Sequence, residues 1–127
     1  MKRNPTKTLK NKLDKLWAEA VKVKAGYSCE YCGKTECLNS HHIFTRSRQA
    51  TRWELNNGCC LCVACHTFSS RFSAHKTGVE FTHWLENKKG KNWLKTLQDL
   101  SNTIYKPTML ELFETYQYLQ KYVSSHK

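Results

Sequence analysis

The feature that most constrains this chain is a pair of Cys-x-x-Cys spacings, Cys29/Cys32 and Cys62/Cys65, with all seven cysteines confined to residues 29–65. Two thiolates from one tight turn and two from another can meet a single tetrahedral ion, so the spacing predicts a Zn²⁺ clip across the middle of the chain. The odd cysteine count fits metal better than a disulfide framework. In a chain of 127 residues that is 39% hydrophobic, the core is modest and metal binding becomes part of the folding free energy. Gly33 suits a tight turn after the first pair. The second pair is open to two readings, because Cys59 also stands two residues from Cys62. Cys62/Cys65 is preferred, since a helix expected from about Cys62 to Phe72 would place both in its first turn, where the helix dipole favours thiolate. Cys59 and Cys60 then become small buried hydrophobes and Cys37 a free thiol.

Twenty-one Lys and Arg against ten Asp and Glu give a formal charge of +11. Such a field draws in polyanions, which makes nucleic acid the first partner to consider. The excess is heaviest in residues 1–26. No apolar run reaches the length of a membrane span, and the opening "MKRNPTKTLKNKLDK" has no apolar core of the signal-peptide kind. An intracellular, cytoplasmic chain without a membrane partner is expected.

A single domain in three parts follows from the periodicity. Residues 1–26 read as a basic N-terminal helix, with Asn4 as N-cap, Pro5 at the first helical position, an apolar stripe of Leu9, Leu13, Leu16, Trp17, Ala20 and Val21, and Gly26 as the stop. Residues 27–72 break into short elements: a cysteine turn at 29–32, a strand around Leu38 to Phe44, a polar loop, a strand at Gly58 to Leu61 and the helix from about Cys62. Residues 73–127 form a helical extension, with helices expected over 78–87, 91–104 and 108–123 and with capping boxes at Thr77/Glu80 and Thr108/Glu111.

His41 and His42 follow the first cysteine pair, and His66 directly follows the second. One zinc joining both pairs would bring these three imidazoles together. Arg46, Arg48 and Arg52 come next in a single loop, where forked guanidiniums could grip the flanking phosphates of a nucleic acid. Trp53 reads as a core anchor. His75 and His83 receive no role beyond a phosphate contact.

The segments "CEYC", "HHIFTRSR" and "LNNGCCLCVACH" together resemble the HNH endonucleases over about residues 27–72. The wording around them is also similar to the phage-borne, NinG-like recombination proteins. The resemblance implies an α+β fold: a small ββα-metal, treble-clef-like core with a structural zinc, flanked by the N-terminal helix and the C-terminal helices. It implies a metal-dependent DNA endonuclease, nicking or cutting both strands to leave 5′-phosphate and 3′-hydroxyl ends, in phage-related DNA processing, packaging or recombination. By the same resemblance His42 is the general base, His41 and His66 hold one catalytic divalent ion (Mn²⁺, Ni²⁺, Co²⁺ or Mg²⁺), and Asn57 is the middle letter of the motif.

Asn57 would either complete the metal shell through its amide oxygen or bond across the loop to hold the His42 strand. The chain departs from the family in having His41 where many relatives have aspartate. It also has Ser70, four residues after His66, where a further histidine ligand is usual. Adjacent strand residues face opposite ways, so His41 and His42 can share one site only if the strand bends or ends there, or if a phosphate lies between them. The competing function is a non-catalytic zinc-ribbon module that binds nucleic acid, and an adaptor role for the helical tail is compatible with either.

Overall fold

The computed structural model describes residues 4–126 and shows an α+β chain. Helix α1 (Pro5–Lys24) is followed by strand β1 (Leu38–His42), strand β2 (Gly58–Cys62), and helices α2 (Gly78–Lys89), α3 (Lys91–Ser101) and α4 (Met109–His126). Among the described residues no helix is long and apolar enough to cross a membrane.

Helix α1 begins where the sequence indicates, with the Asn4 side chain accepting from the N–H groups of Thr6 and Lys7. Its apolar stripe becomes the main core: Leu9, Leu13, Trp17, Ala20 and Val21 pack with Trp53, Cys60 and the Leu112, Leu119 and Val123 face of α4. The basic arm is therefore a core helix whose lysines occupy the other side. The box at the start of α4 forms, with the Thr108 hydroxyl accepting from Glu111 N–H and the Glu111 carboxylate accepting from Thr108 N–H, both at 3.1 Å.

β1 and β2 form a two-stranded antiparallel sheet, pairing Leu38 with Cys62, Ser40 with Cys60, His41 with Cys59 and His42 with Gly58. Alternation divides these residues between two layers. Ser40, His42, Gly58 and Cys60 face α1, where the Ser40 hydroxyl donates to the carbonyl of Ala18 at 2.6 Å. His41, Cys59 and Leu61 face α2, where Cys59 and Leu61 join Phe72, Phe81 and Leu85 in a second core. Gly58 lies so close to α1 that a Cβ there would overlap Val21 Cγ2 and come within 3.0 Å of Trp17 Cζ2. Its φ of −108° is open to any residue, so the demand is for space alone. Gly58→Ala is expected to cost about 1–3 kcal/mol through overpacking, read as a lower denaturation midpoint at unchanged slope.

Two local expectations are corrected. Cys62 ends β2, held opposite Leu38, and the helix expected over Cys62 to Phe72 is a single π-type turn, Ala64–Phe68. The Ser69 N–H closes that turn on Ala64 C=O, and the Ser69 hydroxyl then accepts from the N–H groups of Arg71 and Phe72, which carries the chain out of the helix. At the start of α2 the Thr77 hydroxyl is spent on Ser73, accepting from its N–H and donating to its C=O, so no capping box forms there. The three C-terminal helices occupy the expected regions with shifted ends, and α3 stops at Ser101.

Candidate metal centres

The cysteine turn is built by the main chain. Gly33 N–H donates to Cys29 C=O at 2.9 Å, Cys29 N–H donates to Lys34 C=O at 2.7 Å, and Gly33 takes φ +81°, where a Cβ is strained. Glu30 ties this turn to the free edge of β2: its N–H donates to Cys60 C=O, its carboxylate accepts from Cys60 N–H at 2.7 Å, and Lys88 pairs with it. Cys29, Cys32, Cys62 and Cys65 are thereby gathered, with their sulfurs all within 4.8 Å of one another and 3.5 Å between Cys32 and Cys62. A tetrahedral ion with Zn–S bonds of about 2.3 Å needs sulfurs about 3.8 Å apart. These four residues can hold a structural metal such as zinc.

The reason given for choosing Cys62 changes, since it lies at a strand end and has no helix dipole behind it. What lowers a thiol here is hydrogen bonding. Burial pushes Cys29 up, but main-chain N–H groups of Cys32, Cys62 and Tyr31 outweigh it and bring it down to about 7. Burial raises the other shifted thiols, Cys32 and Cys65 within the cluster and the fully buried Cys59 and Cys60 outside it, Cys60 to about 11. Cys37 is exposed.

A second group of ligating atoms lies on the α2 side of the sheet. His41 comes from β1, His66 from the π-type turn and His75 from the loop before α2. His66 Nε2 is 3.2 Å from His41 Nδ1 and 3.0 Å from His75 Nε2. A ring nitrogen carries either one proton or one lone pair, so His66 Nε2 cannot satisfy both neighbours by hydrogen bonding. One ion accepting three lone pairs can, and bonds of about 2.0–2.1 Å would put the nitrogens near these separations. Burial, followed by the neighbouring His66 and His75, brings His41 down to about 3, and burial with His75 lowers His66. Both rings therefore offer lone pairs at neutral pH. The Thr67 hydroxyl lies 3.3 Å from His66 Nδ1, a partner for the proton that a ring bound through Nε2 keeps on its other nitrogen.

His75 is the residue that sequence reasoning missed. It stands nine positions after His66, and main-chain bonds from Ala74 N–H to Cys65 C=O and from His75 N–H to His66 C=O fold the two segments together. Ser70 is not in the group, and His83 is exposed on α2.

His42 faces the other way. Its ring stacks on Trp17 at 3.9 Å between centroids and 11° between planes, and its Nε2 lies 3.1 Å from the Arg52 carbonyl. A carbonyl only accepts, so Nε2 carries the proton and Nδ1 the lone pair. Among the described residues no group bonds Nδ1. Burial lowers the ring below the ordinary imidazole value, with Arg46 and Arg52 adding to the effect and the Arg52 carbonyl and Asp14 opposing it. His42 is the last residue of β1, and it is among the residues that line a cleft of about 710 Å³, with His41, His66, His75 and Arg46.

Asn57 is wholly buried and bonds across the loop. Its amide N–H donates to Phe44 C=O at 2.9 Å and its amide oxygen accepts from Phe44 N–H at 2.8 Å. Both ends of the amide are engaged with the strand exit, so it holds the His42 segment in place. The three arginines separate. Arg46 lines the cleft, Arg48 bonds the side chain of Asn102, and Arg52 is paired with Asp14 at 2.7 Å. Trp53 is buried, as a core anchor should be, and donates its indole N–H to Asp14 at 2.9 Å. Asp14 is raised by its own burial, but Arg52 and Trp53 outweigh this and hold it below the usual carboxylate range.

Comparison with models of known protein families, with curated proteins and with solved structures gave no match.

The depressed imidazoles set an acid limit. With the trio free of metal, His41 takes up its proton readily when unfolded, at about pH 6.5, but only near 3 when folded. Lowering the pH through that window loads the unfolded chain with a proton the folded chain refuses, so stability falls by about 1.4 kcal/mol per pH unit for this one group. Denaturation midpoints of the protein with no metal on the trio should drop between pH 6.5 and 4, and His41→Asn should lessen the slope.

Proposed function

We propose that this protein is a metal-dependent DNA endonuclease that hydrolyses phosphodiester bonds. The observation that supports this most is the shared cleft: three imidazoles converging at ion-binding separations beside a fourth, His42, whose Nε2 proton is committed to a carbonyl and whose Nδ1 lone pair is left over. The strand, loop and strand order resembles that of the HNH enzymes, with the π-type turn standing where their helix would begin.

In this reading His42 takes a proton from the attacking water, the task for which a neutral imidazole suits pH 7. His41, His66 and His75 hold the divalent ion, and Asn57 keeps the strand exit in register. A bound ion supplies charge stabilisation for the phosphate and the departing 3′-oxygen. Arg46 grips a phosphate, and the net charge of +11 draws the duplex in. The four cysteines hold a structural zinc.

The test is supercoiled plasmid incubated with the zinc-loaded protein in Mn²⁺, Co²⁺, Ni²⁺ or Mg²⁺. An all-imidazole ligand set favours the transition ions over Mg²⁺, which prefers hard oxygen donors. Faster nicking in the transition ions is expected, with His41→Asp shifting the preference toward Mg²⁺. Salt-sensitive binding without cleavage in any metal would instead assign a nucleic-acid-binding module.

A further inference from the structure

We propose that Asp14, on α1, is a positioning residue for His42, acting through the Arg52–Trp53 segment whose main-chain carbonyl sets the tautomer and orientation of that ring. The proposal deepens the nuclease reading and rests on it for its catalytic consequence.

The Asp14 carboxylate binds two consecutive loop residues. Its Oδ1 accepts from Arg52 Nε at 3.0 Å and from Trp53 Nε1 at 2.9 Å, and its Oδ2 accepts from Arg52 Nη2 at 2.7 Å. Arg52 is held in a fork, the geometry that adds directional restraint to charge. Both side chains flanking the Arg52–Trp53 peptide unit are thus anchored on one group, and the carbonyl of that unit faces His42 Nε2 at 3.1 Å. The pair is shielded, with Arg52 14% and Asp14 20% exposed at the side chain. Three residues along α1 from Asp14, on the same helical face, Trp17 stacks on the imidazole. Helix α1 therefore holds the ring by its face through Trp17 and by its edge through Asp14, Arg52 and the carbonyl. Only the Nε2–H tautomer fits that carbonyl, and only that tautomer leaves Nδ1 free to accept a proton.

The arrangement also explains why one arginine of the loop is withdrawn from the phosphate backbone. Arg52 spends its guanidinium on Asp14, and its contribution to the site is made through its main chain.

The test compares the zinc-loaded full chain with Asp14→Asn, which keeps the shape but loses the charge and one acceptor, and with Trp53→Phe, which removes the indole bond and trims the buried ring while leaving the Asp14–Arg52 pair. Imidazole ¹⁵N shifts should show His42 as the Nε2–H tautomer in the parent protein and a mixture with Nδ1–H in Asp14→Asn. Plasmid nicking should lose roughly 10- to 100-fold in kcat, the range typical of partners that orient a functional imidazole, with KM unchanged. Trp53→Phe should move both readouts in the same direction by less. An unchanged tautomer in a folded Asp14→Asn protein overturns the proposal. So does a loss confined to KM, which would make Asp14 and Arg52 part of the DNA surface. If the parent protein cuts no DNA in any metal, the nuclease reading fails, while the ¹⁵N shifts still decide whether Asp14 sets the ring.

Discussion

Cys29→Ser and Cys62→Ser should each release the structural zinc and abolish cooperative unfolding at ordinary temperatures. Each cysteine sits on a different limb of the clip, one in the turn after α1 and one at the end of β2. Losing either leaves a three-ligand set around a buried point. Structural zinc sites contribute on the order of 10–16 kcal/mol in small domains, more than a domain of this size has in reserve. Even a loss of about 3 kcal/mol would lower Tm by roughly 10 °C. Metal analysis and calorimetry check this directly. Cys37→Ser should change neither quantity, because Cys37 is exposed and outside the cluster. Cys59→Ser should retain zinc while paying for a hydroxyl in an apolar layer. Zinc lost on Cys59→Ser and kept on Cys62→Ser would mean that the ligand set has been misassigned.

On the proposed nuclease reading, His42→Ala should reduce cleavage by about 10²–10⁴-fold, the usual contribution of a general base, while zinc content and DNA affinity persist. Because the ring stacks on Trp17, truncation also opens a cavity, so His42→Gln, which refills much of the volume, separates the chemical loss from a packing loss. Both variants should be equally inactive, and the second should unfold closer to the parent. The pH dependence follows from the direction of the shift. Burial lowers His42, so the ring stays neutral and able to accept a proton below the ordinary imidazole value. The acid limb of kcat/KM should therefore fall below about pH 6.5. Cleavage at the parent rate in either variant would remove His42 from the chemistry.

What could be read from the chain beforehand was whatever is encoded at fixed local spacing. The two Cys-x-x-Cys pairs, the Asn4-Pro5 start, the Leu9, Leu13 and Trp17 stripe and the Thr108 box each depend on residues within a turn or two of each other, and the structure places them accordingly. The contacts that escaped notice cross irregular backbone. His75 reaches His66 because main-chain bonds from Ala74 to Cys65 and from His75 to His66 fold the chain back, a geometry without a periodic signature. The Ser73/Thr77 turn that follows consumes the hydroxyl that local pattern assigned to capping α2. Asp14 and Arg52 lie 38 positions apart; on sequence alone Arg52 read as a phosphate-gripping residue, and nothing marked Asp14 as its partner. The π-type turn replaced an expected helix because pairing with β1 keeps Cys62 extended.

Cys65 and His66 are consecutive, yet they belong to different ligand sets. A single peptide unit spans about 3.8 Å between Cα atoms, so gathering the cysteines also delivers His66 to within bonding reach of His41, 25 positions earlier in the chain. Pairing of β1 with β2 already sets the two segments side by side, and an ion at the cysteines would restrict the remaining freedom of the turn that carries His66. On the proposed nuclease reading the two centres would be coupled in both directions, an ion at the cysteines raising the affinity of the histidines for theirs. A molecule starved of zinc would then bind manganese or cobalt at the histidines more weakly.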